Sequence, residues 1–190
     1  MSEKRNMIFE AAITLFAADG FWKTSTASIA KKAGVANGTL FNCFASKEVL
    51  IDEIYSGVKG ELFQAISQGM PRDARLQACL DHVWKGVVNW ALDHPVRWRL
   101  MEQLRLSELV SSETKSEVAK DFQFIHGMVE QGIQDGELVD LPLEYHLEIM
   151  IGQITAIVSY LSSLEVPSDD RLEIIDKGFS SYWAGVSRKV

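Results

Sequence analysis

The stretch Thr24–Lys47, TSTASIAKKAGVANGTLFNCFASK, decides the fold of this chain. Its first half predicts a short helix with Ile29 on the apolar face. Gly34 follows, a residue that accepts the left-handed backbone needed where a helix ends. The second half predicts another short helix over about Asn37–Cys43, with Leu40 turned inward. The stretch therefore predicts two short helices joined by a tight turn.

The outer face of the second helix carries groups that suit the floor of a DNA major groove. These groups are uncharged and mostly small, and they belong to Asn37, Gly38, Thr39, Phe41 and Asn42. A side-chain amide can pair bidentately with adenine, and a glycine lets the backbone approach closely. Asn37 and Asn42 are therefore candidates to read a base edge. The alternative for both is a polar surface residue without a contact.

Lys47 lies at the predicted start of the helix that follows. Ser46 is the expected N-cap, because its side chain can accept a hydrogen bond from a free backbone N–H group. A lysine beside such free N–H groups can bind a phosphate. The alternative for Lys47 is a solvated surface charge.

Two runs of sequence in this region resemble a known family. IFEAAITLFAADGF at residues 8–21 and TSTASIAKKAGVANGTLFNCFASKEVL at residues 24–50 resemble the N-terminal domain of the tetracycline-repressor (TetR) family of bacterial regulators. The resemblance covers about Met7–Tyr55. It implies a helix-turn-helix head that binds DNA, followed by a helical body that binds an effector and forms a homodimer.

The resemblance also assigns roles to individual residues of the head. It implies that Lys47 contacts a phosphate and that Thr26 and Thr39 supply hydroxyl contacts to phosphate. The alternative for Thr26 is a plain helix cap, and both roles can hold together. Phe41 stands where the family usually has a tyrosine that reaches a phosphate, so that hydrogen bond is absent. Ala36 stands where a serine or threonine usually caps the recognition helix, so the cap is missing or comes from elsewhere.

Composition describes a globular protein and excludes several classes. The chain has 190 residues, 47% hydrophobic and 24% charged, with a net charge of −7. Residues 1–48 nevertheless carry an excess of two positive charges, so the basic residues lie where the helix-turn-helix lies. No nucleotide-binding, metal-binding or hydrolase motif occurs. No apolar run approaches the ~20 residues of a membrane span. The two cysteines have no metal-ligand spacing and form no disulfide framework. We expect no cofactor, no metal, no catalysis and no membrane, and a cytoplasmic location.

The apolar periodicity predicts an all-α fold of about nine helices. The predicted helices cover residues 4–19, 26–33, 37–43, 46–67, 71–93, 95–106, 113–134, 142–164 and 169–188. The breaks between them fall at glycine and proline, including Gly69-Met70-Pro71 and Val166-Pro167-Ser168. Residues 1–48 are predicted as the DNA-binding domain and residues 49–190 as the effector-binding and dimerisation domain.

The predicted helix at residues 142–164 is apolar on more than one face, which favours burial by a second subunit. With the last helix it is expected to form a two-fold four-helix interface. The residues behind this prediction are Ile149, Ile151, Ile154, Ile157, Val158, Leu161, Phe179, Tyr182 and Trp183.

Aromatic and methionine side chains on the middle helices are either core or the lining of the effector pocket that the resemblance implies. The pocket candidates are Trp84, Val88, Trp98, Met101, Phe122, Ile125, Met128, Met150, Gln153 and Ile154. Such a lining suits a small, largely hydrophobic molecule.

The function predicted is a ligand-responsive DNA-binding regulator. We expect a repressor that a small hydrophobic molecule releases from a pseudo-palindromic operator. A helical adaptor that uses the same fold to bind protein is the alternative, because the positive excess of the head is small. A small helical enzyme is the second alternative, but no arrangement of a nucleophile, a general base or metal ligands in the sequence supports it.

Overall fold

The computed structural model describes residues 2–71, 74–163 and 168–188, and these residues form ten helices. The helices are α1 (Glu3–Asp19), α2 (Thr26–Lys32), α3 (Asn37–Cys43), α4 (Lys47–Ser67), α5 (Leu76–Asp93), α6 (Pro95–Arg105), α7 (Ser112–Asp121), α8 (Gln123–Gln134), α9 (Leu143–Ser163) and α10 (Ser168–Val186). The prediction of an all-α fold is confirmed. Within these described ranges, no helix combines the length and the apolar character needed to cross a bilayer.

Two helix boundaries differ from the prediction. The helix predicted over residues 113–134 is two helices, because Phe122 adopts φ −95° and ψ 2° and its N–H bonds to the Ala119 carbonyl, three residues back. The helix predicted from Pro71 begins at Leu76 instead, and the Pro71 carbonyl closes a turn with the Ala74 N–H. The break predicted at 166–168 falls largely outside the described residues.

The described residues divide into two compact units. The first unit draws on Met1–Glu61 and His94–Val118, and the second on Leu62–Asp93 and Ala119–Val190. In the first unit, α1 packs against α2, α3 and α6, and α2 packs against α3. Its buried side chains include Ile8, Ile13, Phe16, Ile29, Leu40, Phe44, Leu50 and Ile54. The predicted domain boundary between residues 48 and 49 stays a prediction.

The second unit is a bundle in which α5 packs against α8, α9 and α10. Trp84 lies at its centre without solvent exposure, stacks on Tyr182 at a centroid distance of 5.6 Å, and donates its indole N–H to the Ile175 carbonyl. Helices α9 and α10 approach closely, since a Cβ at Gly178 would lie 2.1 Å from Ile157 Cδ1. A larger residue at position 178 would therefore have to displace the Ile157 side chain.

Candidate functional site

The helix-turn-helix is built by local hydrogen bonds at both ends of α2. Ser25 and Ser28 form a capping box, in which each side chain accepts from the other residue's backbone N–H, at 3.0 and 3.1 Å. Ser25 is therefore the N-cap, and the alternative that Thr26 caps the helix is wrong. Gly34 ends the turn with φ +67°, the left-handed conformation expected of it. The Val35 N–H then bonds to the Ala30 carbonyl at 3.0 Å and fixes the direction of α3.

Helix α3 presents the predicted outer face to solvent. Asn37, Gly38, Phe41 and Asn42 are exposed and Thr39 is half-buried. On the opposite face, Leu40 is fully buried. The exposed side therefore displays two amides, a hydroxyl and an aromatic ring without any ionised group.

The N-terminus of α3 lacks a side-chain cap, as the sequence predicted. Ala36 holds the N-cap position and makes no capping hydrogen bond. The backbone N–H groups of Thr39 and Leu40 bond to the Ala36 carbonyl, but the earlier N–H groups have no partner within the helix. The recognition helix is therefore short and weakly held at this end.

Lys47 is half-buried and anchored to the corner between α1 and α2. Its ammonium group donates to the Phe21 carbonyl and lies 5.8 Å from the centroid of the Phe16 ring. Ser46 caps α4 as predicted, because its side chain accepts from the Val49 N–H at 3.3 Å. The structure thus gives Lys47 an intramolecular role that the sequence did not predict.

Arg5 is a residue of the head that sequence reasoning missed. Its guanidinium group donates to the Cys43 carbonyl and to the Glu53 carboxylate, and its central carbon lies 4.3 Å from the Phe44 ring centroid. These partners are 38 and 48 residues away in the chain. Helical periodicity carries no signal for pairs so distant, so only the structure connects Arg5 to α3.

The rest of the head surface is basic near α2. Lys31 and Lys32 lie in the last turn of α2, and both are exposed, as is Lys23. Trp22 is 86% exposed, so it is a surface residue rather than a packing residue. The exposed cations supply the positive charge that an interaction with phosphates requires.

A separate cavity lies in the second unit. Its volume is about 410 Å³, and it is lined by Phe63, Ser67, Met70, Lys120, Asp121, Phe124 and Met128. The wall is mostly aromatic and thioether, with the Phe63 and Phe124 rings edge to face at 6.2 Å. Ser67, Lys120 and Asp121 add a few polar groups, a combination typical of small-molecule sites.

The predicted pocket residues lie mostly elsewhere. Met128 alone of the ten candidates lines this cavity. Trp98 and Met101 belong to the first unit, whereas the other eight belong to the second. Trp84, Val88, Ile125, Met150 and Ile154 are buried, whereas Phe122 and Gln153 are partly exposed. The burial of Trp84 among aromatic rings matches the core role that the sequence left open.

Helices α9 and α10 bury more of their apolar surface within one chain than predicted. Ile154, Val158, Leu161, Phe179 and Tyr182 are buried in the single subunit. These five residues need no second subunit for their burial, because α5 packs against both helices. Partly exposed side chains remain at Ile149, Ile151, Ile157 and Trp183.

Comparison with known protein families matches both parts of the chain. The family model for bacterial regulatory proteins of the tetR family matches residues 8–54. The model for the tetracyclin repressor-like C-terminal domain matches residues 56–187. Together the two models cover nearly the whole chain, including the α2–α3 pair and the bundle.

Individual relatives agree with the family models. The chain is 29% identical over 155 residues to the HTH-type transcriptional repressor KstR2 of Rhodococcus jostii, covering 76% of this chain and 74% of the relative. It is 27% identical over 165 residues to the fatty acid metabolism regulator protein of Bacillus subtilis, covering 84% of this chain and 85% of the relative. A crystal structure of a protein from Shewanella sp. PV-4 superposes with a TM-score of 0.87 at 29% identity, covering 99% of this chain and 100% of that one.

Proposed function

The chain belongs to the tetR family and is a ligand-responsive DNA-binding transcriptional regulator, and we propose that it is a homodimeric repressor of a pseudo-palindromic operator. A small, largely apolar molecule would release it from the DNA. The observation that carries the proposal is the exposed, uncharged outer face of α3, within a head whose sequence matches the family's DNA-binding domain.

We assign base readout to the amides of α3 and phosphate contacts to the groups around them. Asn42 and Asn37 are exposed and offer both a donor and an acceptor to a base edge. Gly38 has no heavy atom within 4 Å of a Cβ built on it, so the backbone there is open to close approach. Thr39 lies on the same short helix, and its hydroxyl would contact a phosphate, whereas the Phe41 ring has no hydroxyl and would make only an apolar contact to the DNA backbone.

Lys47 and Thr26 complete the proposed phosphate contacts. The Lys47 ammonium has three N–H donors, and the Phe21 carbonyl accepts one of them. Two donors therefore remain for a phosphate without breaking the contact that holds the corner. Thr26 is partly exposed, and the capping role falls to Ser25, so its hydroxyl is available to DNA.

A dimer is proposed through α9 and α10. Ile149, Ile151, Ile157 and Trp183 keep part of their apolar surface exposed, and Tyr160 is 53% exposed on the same helix as the isoleucines. A two-fold axis would place two copies of α3 in successive major grooves, ~34 Å apart. Sedimentation should give the mass of a dimer at micromolar concentration, and a monomer would contradict the proposal.

The cavity beside the second half of α4 is proposed as the effector site. Phe63, Met70, Phe124 and Met128 give it an apolar wall, and a volume of about 410 Å³ falls within the range of small-molecule sites. A relative named as a fatty acid metabolism regulator supports a lipid-like effector. Because α4 is continuous from Lys47 to Ser67, an occupant that moves its second half would also move its first turn.

Filling this cavity tests its role. In the wild-type protein, medium- or long-chain fatty acids should lower operator affinity about 5- to 150-fold. Met128→Trp should leave operator binding intact and abolish this effect of the fatty acids. Gln123→Trp introduces the same side chain at an exposed position of α8 and is the matched control. If the Met128→Trp variant left the operator at the same fatty-acid concentration as the wild-type protein, the assignment of this cavity as the effector site would be refuted.

The remaining alternatives are less well supported. A protein-binding adaptor is not favoured, because both the head and the body match models of bacterial regulators. The relatives above are regulators rather than enzymes, and we propose a protein without catalytic activity that acts in the cytoplasm. Binding to DNA selected from a random library, measured against a scrambled duplex, separates a regulator from an adaptor.

A further inference from the structure

The recognition helix α3 is too short to be stable by itself. It has seven residues, no side-chain cap at Ala36 and no basic residue in its last turn. Isolated helices shorter than about 12 residues are marginal in water, and uncapped ends weaken them further. Its orientation must therefore depend on contacts with the neighbouring helices.

Arg5 of α1 supplies such a contact at the C-terminal end of α3. Its guanidinium donates to the carbonyl of Cys43, the last residue of α3, and so satisfies one of the carbonyls that a helix end leaves unpaired. The same group lies over the ring of Phe44, which is the C-cap residue and 1% exposed. A cation at this end also interacts favourably with the helix dipole.

Glu53 of α4 fixes the arginine in place. The Glu53 carboxylate accepts from the second guanidinium nitrogen, and the side chains of Arg5 and Glu53 are 27% and 35% exposed. A planar guanidinium can bond two acceptors at defined angles, which a lysine ammonium does not do. Arg5 thus joins three helices, α1, α3 and α4, through one rigid group.

We propose that Arg5, held by Glu53, is a positioning residue that sets the orientation of the recognition helix and thereby the specificity of DNA binding, without touching the DNA. The inference rests on the proposed role of α3 in DNA recognition. It gives the acidic residue Glu53 a favourable role in DNA binding. Electrostatics alone would predict the opposite, because a negative charge in the head repels the phosphates.

Glu53→Met separates positioning from simple electrostatics, because it removes both the negative charge and the oxygen that accepts from Arg5 and keeps a side chain of similar length. If charge alone mattered, the variant would bind all DNA more tightly. Positioning predicts instead that affinity for a duplex selected by the wild-type protein falls about tenfold. Affinity for a scrambled duplex of the same composition should stay unchanged or rise. Asp19→Asn, which removes an exposed charge at the end of α1, is the matched control and should weaken neither complex.

Arg5→Gln distinguishes positioning from a direct phosphate contact. Positioning predicts the same loss of operator affinity as Glu53→Met, with a log–log salt slope equal to that of the wild-type protein. The double variant should lose no more than either single variant, because the two residues act as a unit. A slope reduced by about one unit would mean that Arg5 contacts a phosphate, and the proposal would be wrong.

Amide hydrogen exchange in α3 supplies a readout that overall stability does not determine. Both single variants should exchange faster in α3 while the core amides of α1 keep the wild-type rate. Equal acceleration throughout the head, or operator affinity at the wild-type value in Glu53→Met, would overturn the inference. Failure of the wild-type protein to select any duplex would instead refute the proposed function itself.

Discussion

Replacing Lys47 with alanine removes one of the proposed phosphate contacts and, with it, an internal hydrogen bond. In the structure the ammonium donates to the Phe21 carbonyl and lies 5.8 Å from the Phe16 ring centroid. A phosphate contact carries no sequence information. We therefore expect Lys47→Ala to weaken binding to the operator and to random DNA by the same factor.

Two magnitudes follow, one for DNA binding and one for folding. Each phosphate contact contributes about 0.9 to the log–log salt slope. A fourfold rise in salt should therefore reduce the affinity of the wild-type protein about 3.5-fold more than that of the variant. Loss of the hydrogen bond to Phe21 should lower the free energy of unfolding by about 1 kcal/mol, since the lysine is only half-buried.

The assay is a fluorescence-anisotropy titration of labelled operator and scrambled duplex at several salt concentrations, with urea unfolding alongside. Lys177→Ala is the control, because it removes a positive charge from the second unit and should leave the salt slope unchanged. Operator affinity and salt slope equal to those of the wild-type protein would refute the phosphate role. A stability loss alone would leave Lys47 only the role of anchoring α4.

Three further outcomes follow from single residues. Asn42→Ala should relax base preference at one operator position, measured by selection from random DNA, because an amide reads a base edge. Tyr182→Phe should raise the free energy of unfolding in urea by about 1–2 kcal/mol, because the buried hydroxyl has no hydrogen-bond partner among the described residues. Burial also raises the pKa of this hydroxyl to about 12. Tyr160→Phe, at an exposed position, is the control and should change the free energy of unfolding little. Burial lowers the pKa of Lys59 from 10.5 to about 8. Between these pH values the unfolded chain binds more protons than the folded one, so the free energy of unfolding of the wild-type protein should rise with pH. Lys59→Met should flatten this rise. A wild-type stability that falls across the same window, relative to Lys59→Met, would contradict that assignment.

Local sequence signals predicted the head well. Gly34 adopts the positive φ expected of it, and Ala36 leaves α3 uncapped, because both properties depend on residues within one turn of the helix. The Ser46 cap was predicted for the same reason. Element ends that depend on tertiary packing were less predictable. Phe122 breaks a continuous helical pattern, and its ring packs at 5.9 Å from Phe63, which no local pattern indicates.

The site was predictable where it is local and unpredictable where it joins distant segments. The exposed face of α3 follows from the helical period, which also turns Leu40 inward. Arg5 bonds to residues on two other helices, so its partners follow only from the tertiary fold. The cavity combines Phe63 of α4 with Phe124 of α8, whereas nine of the ten residues predicted for the pocket lie outside its lining.

The most direct test of the central claim is a binding titration of the wild-type protein on a duplex that it has itself selected from random DNA. The account predicts a two-fold symmetric duplex with half-site centres about 10 base pairs apart, bound by two protomers. Affinity at physiological salt should be at least about a thousandfold higher than for a scrambled duplex. Equal affinity for both duplexes, or saturation by one protomer, would contradict a dimeric operator-binding regulator.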